Sequence, residues 1–168
     1  MCIERLVSVS DDERTTAQGL FNTADAYLRS ASIIFRDDSL FAFKTLTIIF
    51  PLNHAIELYL KCGLRLADCS VADLKKVGHR LSLLAERWYE CLPVVLSPKA
   101  LALVAYLESE AIGFRYLVTG TNWQPSVEEF ANVALELRSA LVGFCVNGQS
   151  VVHKDEAAGA WQDILKGR

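Results

Sequence analysis

The chain lacks most of the short motifs that mark a known chemistry. It has no GxxxxGK[ST] or GxGxxG loop to wrap a phosphate in backbone amides, no HExxH pair for zinc, and no GxSxG turn to expose a nucleophilic serine. Its three histidines stand at 54, 79 and 153, too scattered for local metal ligation, so neither a metal nor a cofactor is expected. The five cysteines (Cys2, Cys62, Cys69, Cys91, Cys145) are odd in number and match no zinc spacing. They read as small core hydrophobes in a reducing cytoplasm. An excess of one sign of charge is missing as well. The balance is 17 Lys+Arg against 20 Asp+Glu, a net charge of -3, so no global basic field draws in nucleic acid or anionic lipid. Nor is any apolar run long enough to cross a bilayer. The longest stretch free of Asp, Glu, Lys and Arg, Ser139 to His153, has 15 residues and includes Asn147, Gly148, Gln149 and Ser150, whereas a spanning helix needs about 20 apolar residues. The opening MCIERLVSVSDDER sets charges at both ends of a very short apolar run, unlike a signal peptide. A cytoplasmic protein with no membrane partner is the expectation.

What is present is apolar and helical. The 168 residues are 52% hydrophobic and 22% charged, with a mean hydropathy of +0.24. These values exclude a disordered chain and lean apolar for a monomer. The length suits one domain over 1–168, with a core over about 11–146 and a tail over 147–168. Apolar residues recur at three- and four-residue spacing, with no alternating strands between hairpin signals, so the fold is expected to be all-α, an antiparallel bundle of four to five long helices. Ser10 and Glu13 make a capping box before a helix over 11–36. Pro51 is expected to divide the next apolar segment into a short helix and a long central one reaching Ala67. Residues 68–78 read as a connector. Helices follow over 80–91, from Pro98 to Ser109 behind an N-cap at Ser97, and from the Ser126/Glu129 capping box to about Val146. A short tail helix is expected over 156–165.

The central helix, PLNHAIELYLKCGLRLAD, carries its polar residues Asn53, Glu57, Lys61 and Arg65 every fourth position, with His54 beside them. Two readings fit this stripe. It is either the solvated edge of a core helix, with Glu57 and Lys61 in an i,i+4 ion pair, or a polar groove between helices. His79, at the start of a helix in KKVGHRLSLL, is either a cap or a functional base. In FRYLVTG, Arg115 and Tyr116 stand among apolar neighbours, and Arg115 seeks either Glu57 or a phosphate. Along 61–87, six basic residues face three acidic ones; they form either a solvated surface or a basic rim for a phosphate-bearing partner. The single polar stripe is the natural partner for the other polar segments. Glu57, Lys61, His79 and Arg115 are therefore expected to form one cluster, with Arg115 pairing Glu57 and with Lys61 and His79 left for an anion.

HAIELYLKCGL, KKVGHRLSLL and FRYL together resemble the HEPN superfamily (higher eukaryotes and prokaryotes nucleotide-binding), whose central helix and Gly-His motif have this pattern. The motifs cover about Leu52 to Leu117. The resemblance implies a helical bundle, commonly dimeric, of the kind found in bacterial defence and toxin-antitoxin systems. Glu57, Lys61, His79, Arg115 and Tyr116 match the family's motifs, and with the neighbouring His54 and Arg80 they make the expected ligand-binding set. One feature of nuclease members is missing, an Arg followed by a His after four to six residues. The corresponding positions are Thr47, Ile48 and Ile49 before His54, Ala72, Asp73 and Leu74 before His79, and Val146, Asn147 and Gly148 before His153. A noncatalytic module binding a nucleotide, RNA or partner protein is therefore expected. The alternative is a metal-independent ribonuclease with a rearranged site, His79 or His54 serving as base and Arg115 stabilising charge. A homodimer is expected because the last long helix is apolar almost all round.

Overall fold

A computed structural model describes residues 10–37, 44–109, 125–145 and 155–167. All regular structure among these residues is helical: α1 (Asp11–Arg14), α2 (Ala17–Arg36), α3 (Lys44–Leu66), α4 (Val71–Val77), α5 (Leu81–Cys91), α6 (Pro98–Ser109), α7 (Val127–Cys145) and α8 (Asp155–Lys166). Among the described residues, no helix is long and apolar enough to cross a membrane. Helix α3 is the hub, packing on α2, α5 and α7, while α6 joins α5 and α7, and α8 lies on α2.

Three helix boundaries differ from the sequence expectation, each for a local reason. The helix expected over 11–36 is divided at Thr15–Thr16, because the Thr16 hydroxyl accepts from the Gly19 amide at 3.0 Å and starts α2 afresh. The expected division at Pro51 does not occur. Helix α3 continues through this buried proline, which has Ile48, Ile49, Leu52, Ala55 and Ile56 buried around it. Burial on both flanks outweighs the one backbone hydrogen bond that proline forfeits. The connector over 68–78 holds a helix, α4, with Ser70 as N-cap: its hydroxyl accepts from the Asp73 amide at 3.1 Å, and Gly78 ends the helix with a φ of 68°. The expected caps at Ser97 and Ser126 are both present. Ser97 Oγ accepts from the Ala100 amide at 3.2 Å, and Ser126 and Glu129 satisfy each other's amides at 3.3 and 2.7 Å.

The core extends into the segment read as a tail. Trp161 of α8 is fully buried, stacks at a tilt against Phe35 with ring centroids 5.5 Å apart, and donates its indole N–H to the Leu28 carbonyl at 2.9 Å. On the other side of α3, Trp88 comes so close to Gly63 that a Cβ there would stand 2.1 Å from its ring and 2.9 Å from Leu92. Gly63 is needed for this contact between α3 and α5.

Candidate functional site

The polar stripe of α3 splits into segments with different surroundings. Near its middle, Glu57 is 7% exposed and its Oε1 accepts from Lys61 Nζ at 2.6 Å and from His79 Nδ1 at 2.8 Å. A carboxylate only accepts, so Nδ1 of His79 carries the hydrogen and the neutral ring presents Nε2 as its basic nitrogen. The His79 side chain remains 66% exposed, in the turn between Gly78 and α5. Glu57, Lys61 and His79 thus form one linked cluster, with an ion pair of the expected order along the helix. Lys61 and His79 are not wholly left over for an anion, however, since each already donates one hydrogen to the same carboxylate oxygen, and the Lys61 ammonium keeps two more. Arg115 and Tyr116, the remaining expected members, lie outside the described residues.

His54 and Arg80 have other partners. One turn before Glu57, His54 stacks on Phe50 at 5.2 Å between centroids and meets Tyr27 edge-on at 5.0 Å. Phe50 is 54% exposed, so this aromatic step reaches the surface. Asn53, next to it, has a buried Oδ1 with no hydrogen-bond partner among the described residues, a cost of about 1–3 kcal/mol. Arg80 donates to the Val77 and Lys76 carbonyls, both at 3.2 Å, and so closes the C-terminal end of α4.

The expected basic rim over 61–87 is largely neutralised. Arg65 pairs with Asp12 at 3.0 Å and donates to the Thr15 and Cys69 carbonyls; Lys75 pairs with Asp11, and Lys76 with Asp73 at 3.2 Å. The short helix α1 supplies two of these acids. Lys75 holds the Asp11 carboxyl below its ordinary range, and the Ser70 hydroxyl followed by Lys76 does the same for Asp73.

A second polar group, not anticipated from the sequence, lies inside the molecule. Arg138 of α7, 4% exposed, grips Asp25 of α2 through Nε at 3.0 Å and a second nitrogen at 3.2 Å, and sits 5.6 Å over the Phe21 ring. The Tyr59 hydroxyl also donates to Asp25. Burial first, and the neighbouring Asp25 carboxylate second, push the Tyr59 phenol far up. One sequence signal was available: Arg138 interrupts an otherwise apolar helix face, between Ala134, Leu135, Leu141 and Val142.

A cleft of about 280 Å³ separates α6 from α7 beside Leu103, Tyr106 and Asn132. Its carboxylates are committed to helix caps, Glu136 to the Ser97 amide and hydroxyl at 2.5 and 2.7 Å and Glu129 to the Ser126 amide. Among the described residues, no group of three or more His, Cys, Asp or Glu is placed to hold a metal. The Glu57–Lys61–His79 cluster with its adjoining aromatic step is therefore the candidate site. No family model matches this chain, and no curated protein or solved structure does.

Proposed function

We propose that this chain is a HEPN-like helical bundle domain serving as a noncatalytic binding module for a nucleotide or a single-stranded RNA end, of the kind used in bacterial defence or toxin-antitoxin systems. The observation that carries the reading is that one stripe of α3 holds Phe50, His54, Glu57 and Lys61, with Tyr27 of α2 against the His54 ring and His79 on the Glu57 carboxylate. By helix rise, His54 and Lys61 are about 10 Å apart along the axis, comparable to the span from a stacked base to its phosphates. Bases of any identity stack on exposed aromatics. The Lys61 ammonium carries two hydrogens besides the one it gives Glu57, and these are the donors a phosphate oxygen would meet. Fluorescence anisotropy with a labelled single-stranded RNA tests this reading. Phe50→Ala and Lys61→Ala should each weaken binding about tenfold, with Lys99→Ala as an unchanged control; no binding, or binding indifferent to both changes, rejects it.

One observation favours a second reading, a metal-independent ribonuclease. A histidine oriented by a buried carboxylate and open at its other nitrogen has the arrangement of a general base, and Glu57–His79 has this form. Incubation with RNA in EDTA decides between the two: cleavage abolished by His79→Ala establishes the enzyme, and intact RNA leaves the binding module. The same proposal includes a homodimer. Phe144 at the end of α7 is 66% exposed beside an apolar hollow formed with Leu66, Leu92 and Val94, although Phe130, Val133, Leu137 and Leu141 are enclosed within the chain. Light scattering at micromolar concentration checks it.

A further inference from the structure

Two features outside the α3 stripe take no part in the function proposed above. One is the thiols: Cys62 and Cys145 are buried with sulfurs 3.6 Å apart, and Cys91 is exposed, against the expectation that every cysteine belongs to the core. The other is the cleft of about 280 Å³ between α6 and α7, and its lining is that of a binding site. The floor is apolar and buried, with Leu103 5% and Val133 4% exposed. Beside it, Ala102 gives the α6 wall only a methyl group and is itself exposed, so the two helices do not close over the floor. The rim has two carboxylates, Glu129 and Glu136, against one ammonium, Lys99. Both carboxylates are fixed by the caps they make. Glu136 uses both oxygens on Ser97, whereas Glu129 gives only Oε2 to the Ser126 amide, and its Oε1 accepts from none of the described residues. Lys99 does not cancel the Glu129 charge. It is on the first turn of α6, the end that Glu136 caps, while Glu129 lies two turns of α7 before Glu136, about 10 Å by helix rise.

We infer that this cleft binds a small organic cation, a primary ammonium on a compact apolar body, with the ammonium on Glu129 Oε1 and the body against Leu103 and Val133. Charge complementarity selects the sign. The rim has an excess of one negative charge, so a cation is drawn in and an anion is repelled. A primary ammonium brings three donors to a carboxylate that only accepts, and a charge-assisted bond of this kind is roughly twice as strong as a neutral one. The floor selects the body. A strongly hydrated inorganic cation gains nothing from Leu103 and Val133, whereas a hydrocarbon body removes its own apolar surface and theirs from water. The caps contribute preorganisation, because the Glu129 side chain is already ordered before a ligand arrives. The cleft shares no residue with the α3 stripe. The inference is therefore independent of the RNA-binding proposal, and either can fail alone.

The test titrates the full chain with 2-phenylethylammonium and follows the backbone amides by NMR, with 2-phenylethanol as the neutral counterpart and 3-phenylpropionate as the anionic one. The ammonium probe should shift the amides around the cleft and bind about tenfold more tightly than either counterpart. Glu129→Gln keeps the capping box and should weaken the ammonium probe about tenfold. Ala102→Leu, at an exposed position, fills the cleft without entering the core and should abolish binding, while Gln162→Ala on α8 should change nothing. The three probes on the unaltered chain decide the matter even if a variant fails to fold. The inference is overturned if the probes bind alike, if none shifts the cleft amides, if Glu129→Gln leaves the affinity unchanged, or if the ammonium probe binds as tightly after Ala102→Leu.

Discussion

Helix α3 has polar residues on two sides, and the two groups are built differently. On the inner side, Tyr59 joins Asp25 and Arg138 in a network with Arg138 4% exposed and gripping both carboxylate oxygens. On the outer side, Glu57 takes Lys61 and His79 on one oxygen, and the His79 ring extends into solvent. Both are acid-centred triads. The inner one connects three helices, α2, α3 and α7, and is sealed by the core; the outer one leaves a titratable ring accessible. The difference separates polar groups committed to folding from polar groups available for recognition, and it can be tested by substitution.

The largest expected effect is at the inner network. Arg138→Ala should cost about 3–5 kcal/mol in chemical denaturation, because it strands the Asp25 carboxylate in the core. Replacing Arg138 and Asp25 together by Met and Leu should restore most of that, and a double variant as unstable as the single one would contradict the account. Tyr59→Phe comes next, at about 1–2 kcal/mol for the lost charge-assisted hydrogen bond. Tyr59 also fixes the alkaline behaviour. Its folded-state pKa lies above the ordinary phenol value of 10.0, so the folded state retains a proton that the unfolded state loses, and stability should fall as pH rises above 10. In Tyr59→Phe the alkaline fall should be shallower.

The outer cluster should respond weakly in stability and strongly in function. His79→Ala should cost no more than about 1 kcal/mol, as its side chain is mostly exposed, yet it should change RNA binding or cleavage; a loss of several kcal/mol would make the cluster structural like its inner counterpart. The smallest effect concerns Asp73, on the hairpin that carries His79. Its folded pKa is lowered from 3.8, so its contribution is present above that value and is lost as pH falls through the depressed one. Asp73→Asn should flatten the acid limb of the stability curve below about pH 4, seen in urea titrations at successive pH values.

Much of this was legible in the sequence because it is local. The caps at Ser97 and Ser126, the ends of α5 and α6, and the pairing of Glu57 with Lys61 depend on residues within a turn of each other. The start of α4 went unread, although Ser70 and Asp73 have the spacing of a capping box, because irregularly spaced charged residues surround them. His79 joined Glu57 as expected, because a polar stripe on an otherwise enclosed helix is the nearest partner for a polar turn. The neutralisation of the basic run was not legible, since Asp11 and Asp12 act on Lys75 and Arg65 across more than fifty residues of chain.

By itself, then, the sequence determined that the chain is helical, where most helices start and stop, and which stripe of α3 is polar, because periodicity and capping act over three or four residues. Only the tertiary structure decided that α3 continues through Pro51, that Trp161 joins the core, and that Asp25 is held by Arg138, 113 residues away. Each of these rests on burial or on a contact between distant segments. Burial outweighs a local preference once enough apolar surface is enclosed, and the choice of a distant partner depends on which helices pack together.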